Sequence, residues 1–455
     1  MDFTVRIFYS RTCICRCPAA VLRNSETRKQ MNYKISNGKI LLTGPDRLET
    51  AERDLYILDG RISFGPAGLP EESFEVVDAA RHLVMPGLIN MHTHAYMTLM
   101  RNYADDVGFD EWLFKRVMPV EDTLPLEGAY WGSLLACMEM IRTGTTTFMD
   151  MHMFRGQSCR AALESGMRAW IGRGLVGADL YGDGLSRFRQ GLEEQAEYEC
   201  GRIRFTLAPH AIYSCGPKLL EQVAREAADR GMRKQIHLSE SDNEVDDALR
   251  KYGKTPVALL RDTGFLDEKT ILAHCVKMRG DDISIIKEAG STVVTNPASN
   301  AKLGNGFAPL QDFLDAGIQV CLGTDGTCSN NTLNMFREMG LVSLIHKAIH
   351  RNPVTAPADT VVRMATANAG RALGLAGELG VIAEGALADL IFLDLDAPSM
   401  FPVNNPVSAL CYSACGSEVD SVMIDGSFVM RKGEYTSIDA ERVRYEVQKV
   451  ADQYL

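Results

Sequence analysis

Two histidines one residue apart, His92 and His94, close the run Met85-Pro86-Gly87-Leu88-Ile89-Asn90-Met91-His92-Thr93-His94. Pro86-Gly87 bounds a short apolar stretch that reads as a buried strand. Residues i and i+2 of a strand face the same side, so both imidazoles converge on one point, as two ligands of one metal do. His-x-His alone is a weak signal, and the rest of the chemistry lies downstream. His237-Leu238-Ser239-Glu240 offers a third imidazole. Glu240, three residues on, stands close to a metal without being forced to bind it, where a carboxylate can shuttle protons. Ala273-His274-Cys275 offers His274 as a ligand or as a hydrogen-bond partner of water. Gly323-Thr324-Asp325-Gly326 offers Asp325 as an oxygen ligand or a base. Three neutral nitrogens and one carboxylate suit one divalent ion, Zn²⁺ before Fe²⁺. Such a metal lowers the pKa of water towards ~7.

These residues need a scaffold that brings distant segments together. The middle of the chain, 86–385, alternates short apolar runs with helical patterns. Strands are expected at 87–94, 144–150, 168–175, 204–210, 234–240, 270–276, 291–297 and 319–325. Helical patterns at 128–142, 217–231, 255–264, 281–290 and 309–317 separate most of them, several ending in Gly. Eight such units predict an α/β fold, a (β/α)8 TIM-like barrel. His92, His94, His210, His237, His274 and Asp325 all fall at the C-terminal ends of their strands, the face on which barrel active sites sit.

Two β-rich segments flank the barrel. Asp59-Gly60 and Asp425-Gly426 each sit between apolar runs, a type I′ hairpin signal. Residues 31–85 read as hairpins, with a strand–turn–strand start at Asn37-Gly38. The economical arrangement is a small β-sandwich domain of 31–85 plus 386–436, with the catalytic barrel of 86–385 inserted between its halves. Val443, Val447 and Val450 follow helical spacing, so 437–455 is expected to close the chain as a helix.

Composition agrees with an enzyme of this kind. The 455 residues are 46% hydrophobic and 24% charged, enough to bury a large core. A net charge of −11 argues against a basic nucleic-acid-binding face. No apolar run reaches the ~18 residues of a membrane span. The 12 cysteines contain no Cys-x-x-Cys pair, the usage of a reducing compartment, so a cytoplasmic location is expected. Residues 1–30 are basic and aperiodic and carry Cys13, Cys15 and Cys17; they read as a disordered extension rather than a signal peptide.

The order Pro-Gly-x-x-x-x-His-x-His, Pro-His, His-x-x-Glu, His, Gly-Thr-Asp resembles the amidohydrolase superfamily over nearly the whole chain from Met31. Binuclear members carry a carboxylated lysine at the end of strand four. Here that strand ends Leu207-Ala208-Pro209-His210, so the chain is similar to the mononuclear, deaminase-like branch. The stretches 296–306 and 323–331 are similar to those of the 5-methylthioadenosine/S-adenosylhomocysteine deaminases. That resemblance implies metal ligation by His92, His94, His237 and Asp325, and catalytic work by Glu240, His274 and Asp325. It also implies substrate contacts from Glu121 (ribose hydroxyls), His210 (purine), Glu240, Arg173, and Arg187 towards the 5′ substituent. The implied reaction is hydrolytic deamination at purine C6 of an adenosine-type nucleoside. Water and that nucleoside are the implied partners, and assembly into a homo-oligomer stays open. The competing reading is another aminohydrolase or chlorohydrolase of the branch, acting on guanine, a pterin or a triazine.

Plainer roles suit other polar residues. His152 reads as a rim histidine, and His82, His346 and His350 as structural or solvent-facing. Apart from Glu240, the acidic run 240–244 reads as a solvated loop and helix start. Met97, Met100, Trp112 and Met118 read as core or as an apolar lid over the barrel mouth.

Overall fold

The computed structural model describes residues 31–44 and 47–455. The expected extension with its cysteine triplet lies outside them. Three sheets organise the described residues: one of four strands, one of seven, and one of eight.

The eight-stranded sheet is the barrel. Its strands are, in order, Leu88–Thr93, Thr145–His152, Arg168–Leu175, Ile203–Pro209, Arg233–Leu238, Thr270–His274, Thr292–Thr295 and Val320–Leu322. All neighbours pair in parallel, in chain order. The ring closes at the site itself: the amides of Thr324 and Asp325 donate to the His92 carbonyl at 3.2 and 2.9 Å. Several strands are buried along their entire length, as a sheet covered on both faces requires. The outer helices include Leu126–Arg142, Leu185–Tyr198, Pro217–Arg230, Asp242–Tyr252 and Met335–His350. Several end on a left-handed glycine, among them Gly231 (φ 67°) and Gly253 (φ 66°), the conformation that stops a helix cheaply.

Both chain ends build the accessory β structure. In the seven-stranded sheet His82–Pro86 pairs antiparallel with Leu390–Asp394, which interleaves the two halves. The four-stranded sheet packs on it through one shared core that includes Ile35, Ile40, Ile57, Val84, Leu390 and Phe392. Asp59-Gly60 and Asp425-Gly426 do turn tight hairpins, with positive φ at both residues of each turn. Asn37-Gly38 does not. Tyr33–Ser36 pairs with Leu55–Leu58 in one sheet, whereas Lys39–Thr43 joins the other. The turn carries the chain across the sandwich, and Gly38 fits there because a side chain would meet Ala79 and Val84 within 3.1–3.4 Å.

The last helix, Ala440–Tyr454, lies against Leu126–Arg142. Its Val447, Val450 and Tyr454 pack under the segment that follows the first barrel strand. No helix among the described residues is long and apolar enough to cross a membrane.

Candidate active site

His92 is the penultimate residue of the first barrel strand and His94 follows it, with their rings 5.0 Å apart. His237, from the fifth strand, packs 4.8 Å from His92 and 5.2 Å from His94. Two overlapping groups, His92 with His94 and His237, and His92 with His274 and Asp325, present ligand atoms within 4.8 Å of one another. The eighth strand ends at Leu322, so Asp325 sits in the loop beyond, with left-handed backbone (φ 63°). That conformation is expensive for a non-glycine residue and is kept by the surrounding bonds. Gly326 N donates to Asp325 Oδ1 at 2.8 Å, while the hydroxyls of Ser299 and Ser329 donate to Oδ2 at 2.7 and 2.8 Å.

Tautomers decide what this cluster can hold. His94 Nδ1 lies 2.7 Å from the Met151 carbonyl, and His237 Nδ1 lies 2.7 Å from the His210 carbonyl. A carbonyl only accepts, so each Nδ1 carries the hydrogen and each Nε2 is a bare lone pair. Those two Nε2 atoms face each other at 3.2 Å. His92 Nε2 is buried and has no hydrogen-bond partner. The facing lone pairs of His94 and His237, with the Asp325 carboxylate 3.3 Å from His94 and 3.6 Å from His92, favour something positive among them. A proton is one solution: burial opposes it, but Asp325 at 3.3 Å raises His94 to about 9. A divalent metal is the solution that engages all four groups, and this donor set fits one. Burial, reinforced by the neighbouring imidazoles, holds His92 and His237 well below the usual range, in the neutral state that ligation needs.

Glu240 and His274 complete the floor. The fifth strand ends at Leu238, so Glu240 lies beyond it rather than on it. Glu240 is buried, and burial together with the Asp325 charge pushes its carboxyl well above the usual carboxylate range. Asn305 Nδ2 donates to Glu240 Oε1 at 3.0 Å, leaving Oε2, 3.7 Å from His274 Nε2, to carry a proton. His274 also has left-handed backbone (φ 74°), and its Nδ1 lies 2.9 Å from Asn300 Oδ1. Asn296 Nδ2 also approaches that Nδ1, at 3.3 Å, and burial lowers the ring's pKa, favouring the neutral form.

Above this floor opens a cavity of about 510 Å³, the size of a typical small-molecule site. His94, His237, His274, Asp325 and Glu240 line its base; Glu121, Arg187 and His210 line its walls. Glu121 accepts a hydrogen bond from the Tyr96 hydroxyl, and burial raises its carboxyl. Burial lowers His210 to about 3, so its ring is neutral. Met97, Trp112 and Met118 form part of the apolar wall, while Met100 is buried in the cluster that supports it. The Glu111–Val117 segment winds as a π-helix, a form concentrated at functional sites.

Arg173 is not on the cavity wall. Gly172 faces Thr206, Ala208 and Gln235 in the barrel interior. Alternation therefore turns Arg173 outward, where its Nε and Nη2 donate to Gln190 at 3.1 and 3.0 Å. His152 is not a rim residue either. It is fully buried, with Nε2 3.3 Å from Glu194 beneath helix Leu185–Tyr198. Glu244 is also buried rather than solvated. His346 and His350 stack at 6.0 Å, and no third ligand joins them among the described residues. Tyr96, Ser299, Asn300, Asn305 and Ser329 touch site residues without having been singled out from sequence. The last four fall inside the stretches 296–306 and 323–331, but nothing in spacing assigns them a partner.

The strand ends and following loops of this barrel gather imidazoles and an aspartate into two overlapping groups that could hold a divalent metal. The chain belongs to the amidohydrolase family, whose model matches residues 83–429. It is 40% identical over 432 residues to an Acetivibrio thermocellus protein named 5-methylthioadenosine/S-adenosylhomocysteine deaminase, covering 93% of this chain and all of the relative. A Pyrococcus furiosus protein of the same name is 40% identical over 425 residues, covering 92% of this chain and 100% of its own. Among solved structures, an adenosine deaminase from Xanthomonas campestris with bound zinc superposes with a TM-score of 0.87 at 29% identity, covering 93% of this chain and 98% of that one. An atrazine chlorohydrolase from Arthrobacter aurescens shares the fold, with a TM-score of 0.85 at 24% identity over 92% of this chain and 100% of its own.

Proposed function

We propose that the chain is a hydrolytic deaminase of adenosine-type nucleosides. It converts the 6-amino group of 5-methylthioadenosine, S-adenosylhomocysteine or a related 5′-substituted adenosine to the inosine-type product and ammonia. One observation carries the reading. A buried carboxyl pushed well above the usual carboxylate range, Glu240, shares a single cavity with the imidazole–aspartate cluster and with Glu121. The first pair suits hydrolysis at a ring carbon beside a basic nitrogen, and the second suits a sugar.

His92, His94, His237 and Asp325 would hold the metal, and Zn²⁺ suits their three nitrogens and one oxygen. When bound, it supplies Lewis-acid activation of water, lowering the water's pKa towards ~7. The remaining steps belong to side chains. His274 hydrogen-bonds the attacking water through Nε2 and orients it. Glu240 gives its proton to the ring nitrogen beside C6, so charge does not build up on the purine. As the C6–O bond forms, Asp325 takes a proton from the water and passes it to the amine. The C6–N bond breaks, ammonia leaves, and the remaining hydroxyl proton restores Glu240. Glu121 accepts hydrogen bonds from ribose hydroxyls, neutral His210 contacts the purine, and Arg187 faces the 5′ substituent. The unpaired cysteines suit a reducing, cytoplasmic compartment.

An ammonia-release screen tests the assignment. It covers 5-methylthioadenosine, S-adenosylhomocysteine, 5′-deoxyadenosine, adenosine, guanine and melamine, on protein of known metal content. Release from the nucleosides alone is expected. Release from guanine or melamine, with none from any nucleoside, would overturn it.

A further inference from the structure

Helix Asp242–Tyr252 begins with a Ser-x-x-Glu capping box. Ser241 Oγ accepts from Glu244 N at 3.3 Å, and in the ordinary motif the glutamate returns to the amide of the capping serine. Here it reaches further back. Glu244 Oε1 accepts from Ser239 N at 3.0 Å and Oε2 accepts from Glu240 N at 2.8 Å. Both amides lie past the end of the strand ladder, whose last pair is Leu238 with His274. Ser239 is left-handed at φ 50°, a strained turn for serine. Its carbonyl is clamped from the other side by Val276 N at 3.0 Å and Lys277 N at 2.8 Å. Glu244 is 4% exposed, so water does not replace these bonds. The backbone that aims Glu240 into the cavity is thus fixed by a carboxylate four residues away.

We infer that Glu244 is the positioning residue for Glu240, holding the proton-transferring side chain through its backbone amide; this rests on the proton-transfer role proposed above. Glutamine is nearly isosteric, but it offers one acceptor oxygen and turns an amino group against a backbone N–H. Glu244→Gln at full metal occupancy is therefore expected to lower kcat on 5-methylthioadenosine by ~10- to 100-fold, the range seen for the outer groups that orient metal-site ligands. KM should stay within about threefold, since both Glu244 carboxylate oxygens are already taken up by backbone amides. In a Glu240→Gln background the same change should cost less than about threefold further, because its target is already gone. Glu244→Ala is a second variant, and Glu244→Gln keeps the test alive if the alanine protein does not fold. The inference is overturned if Glu244→Gln keeps kcat within twofold while its Tm falls. It is also overturned if the substitution costs the same factor in both backgrounds, or if it empties the metal site. Full activity in Glu240→Gln alone would instead remove the proton-transfer role beneath it.

Discussion

Replacing Glu121 with glutamine separates a nucleoside site from a free-base site. Glu121 lines the cavity and accepts from the Tyr96 hydroxyl. The Tyr96 bond survives in Glu121→Gln, because the amide carbonyl still accepts, so the wall keeps its shape. What changes is the partner offered to ribose. A hydrogen bond to a charged group contributes about 1.5–3 kcal/mol and one to a neutral group about 1. The difference is about 0.5–2 kcal/mol per hydroxyl, or about 1–4 kcal/mol for two. That corresponds to roughly a 5- to 1,000-fold fall in kcat/KM on adenosine or 5-methylthioadenosine. Adenine has no ribose, so its slow deamination should change by less than about threefold. Steady-state ammonia release on both compounds, for both proteins, gives the ratio directly. An equal loss on adenine and adenosine would refute the ribose assignment.

Two further outcomes concern stability. Arg168 and Asp389, both nearly fully buried, form a paired contact at 2.7 and 3.1 Å between the third barrel strand and the β domain. Asp389→Asn leaves the guanidinium short of its main counter-charge and should cost about 3 kcal/mol by urea unfolding; less than about 1 would contradict this. His346 is buried, and burial together with His350 lowers it to about 4. A depressed histidine contributes stability that is present above its unfolded pKa of ~6.5 and is lost as pH falls towards 4. The wild-type Tm should therefore fall relative to that of His346→Gln between those values, by up to ~3 kcal/mol in stability; parallel Tm curves would show that the histidine does not titrate this way.

The barrel and the histidine cluster were legible because two periodicities coincide in the sequence. Short apolar runs give strands, and the ionisable residues fall at their ends. Hydrogen bonding between distant segments was not legible. Asn37-Gly38 carries an ordinary hairpin signal, yet the partner of each flanking strand is set by packing across the sandwich. Arg173 was misplaced because a family pattern carries residue identity but not strand parity, and Gly172 takes the inward position. Glu244 and His152 look like surface groups in one dimension. Their burial depends on Ser239 and Glu194, partners that spacing does not reveal. Tyr96 meets Glu121 from 25 residues away through the fold of a single loop.

The most direct test of the account is a metal count paired with the removal of one imidazole. Purified protein, dialysed free of loose ions, should hold one divalent metal per chain. X-ray absorption should give a first coordination sphere of nitrogen and oxygen, without sulfur. His237→Ala should lose both the metal and ammonia release while keeping its fold by circular dichroism. Full activity with no metal bound, two metals per chain, or an active His237→Ala protein would contradict it.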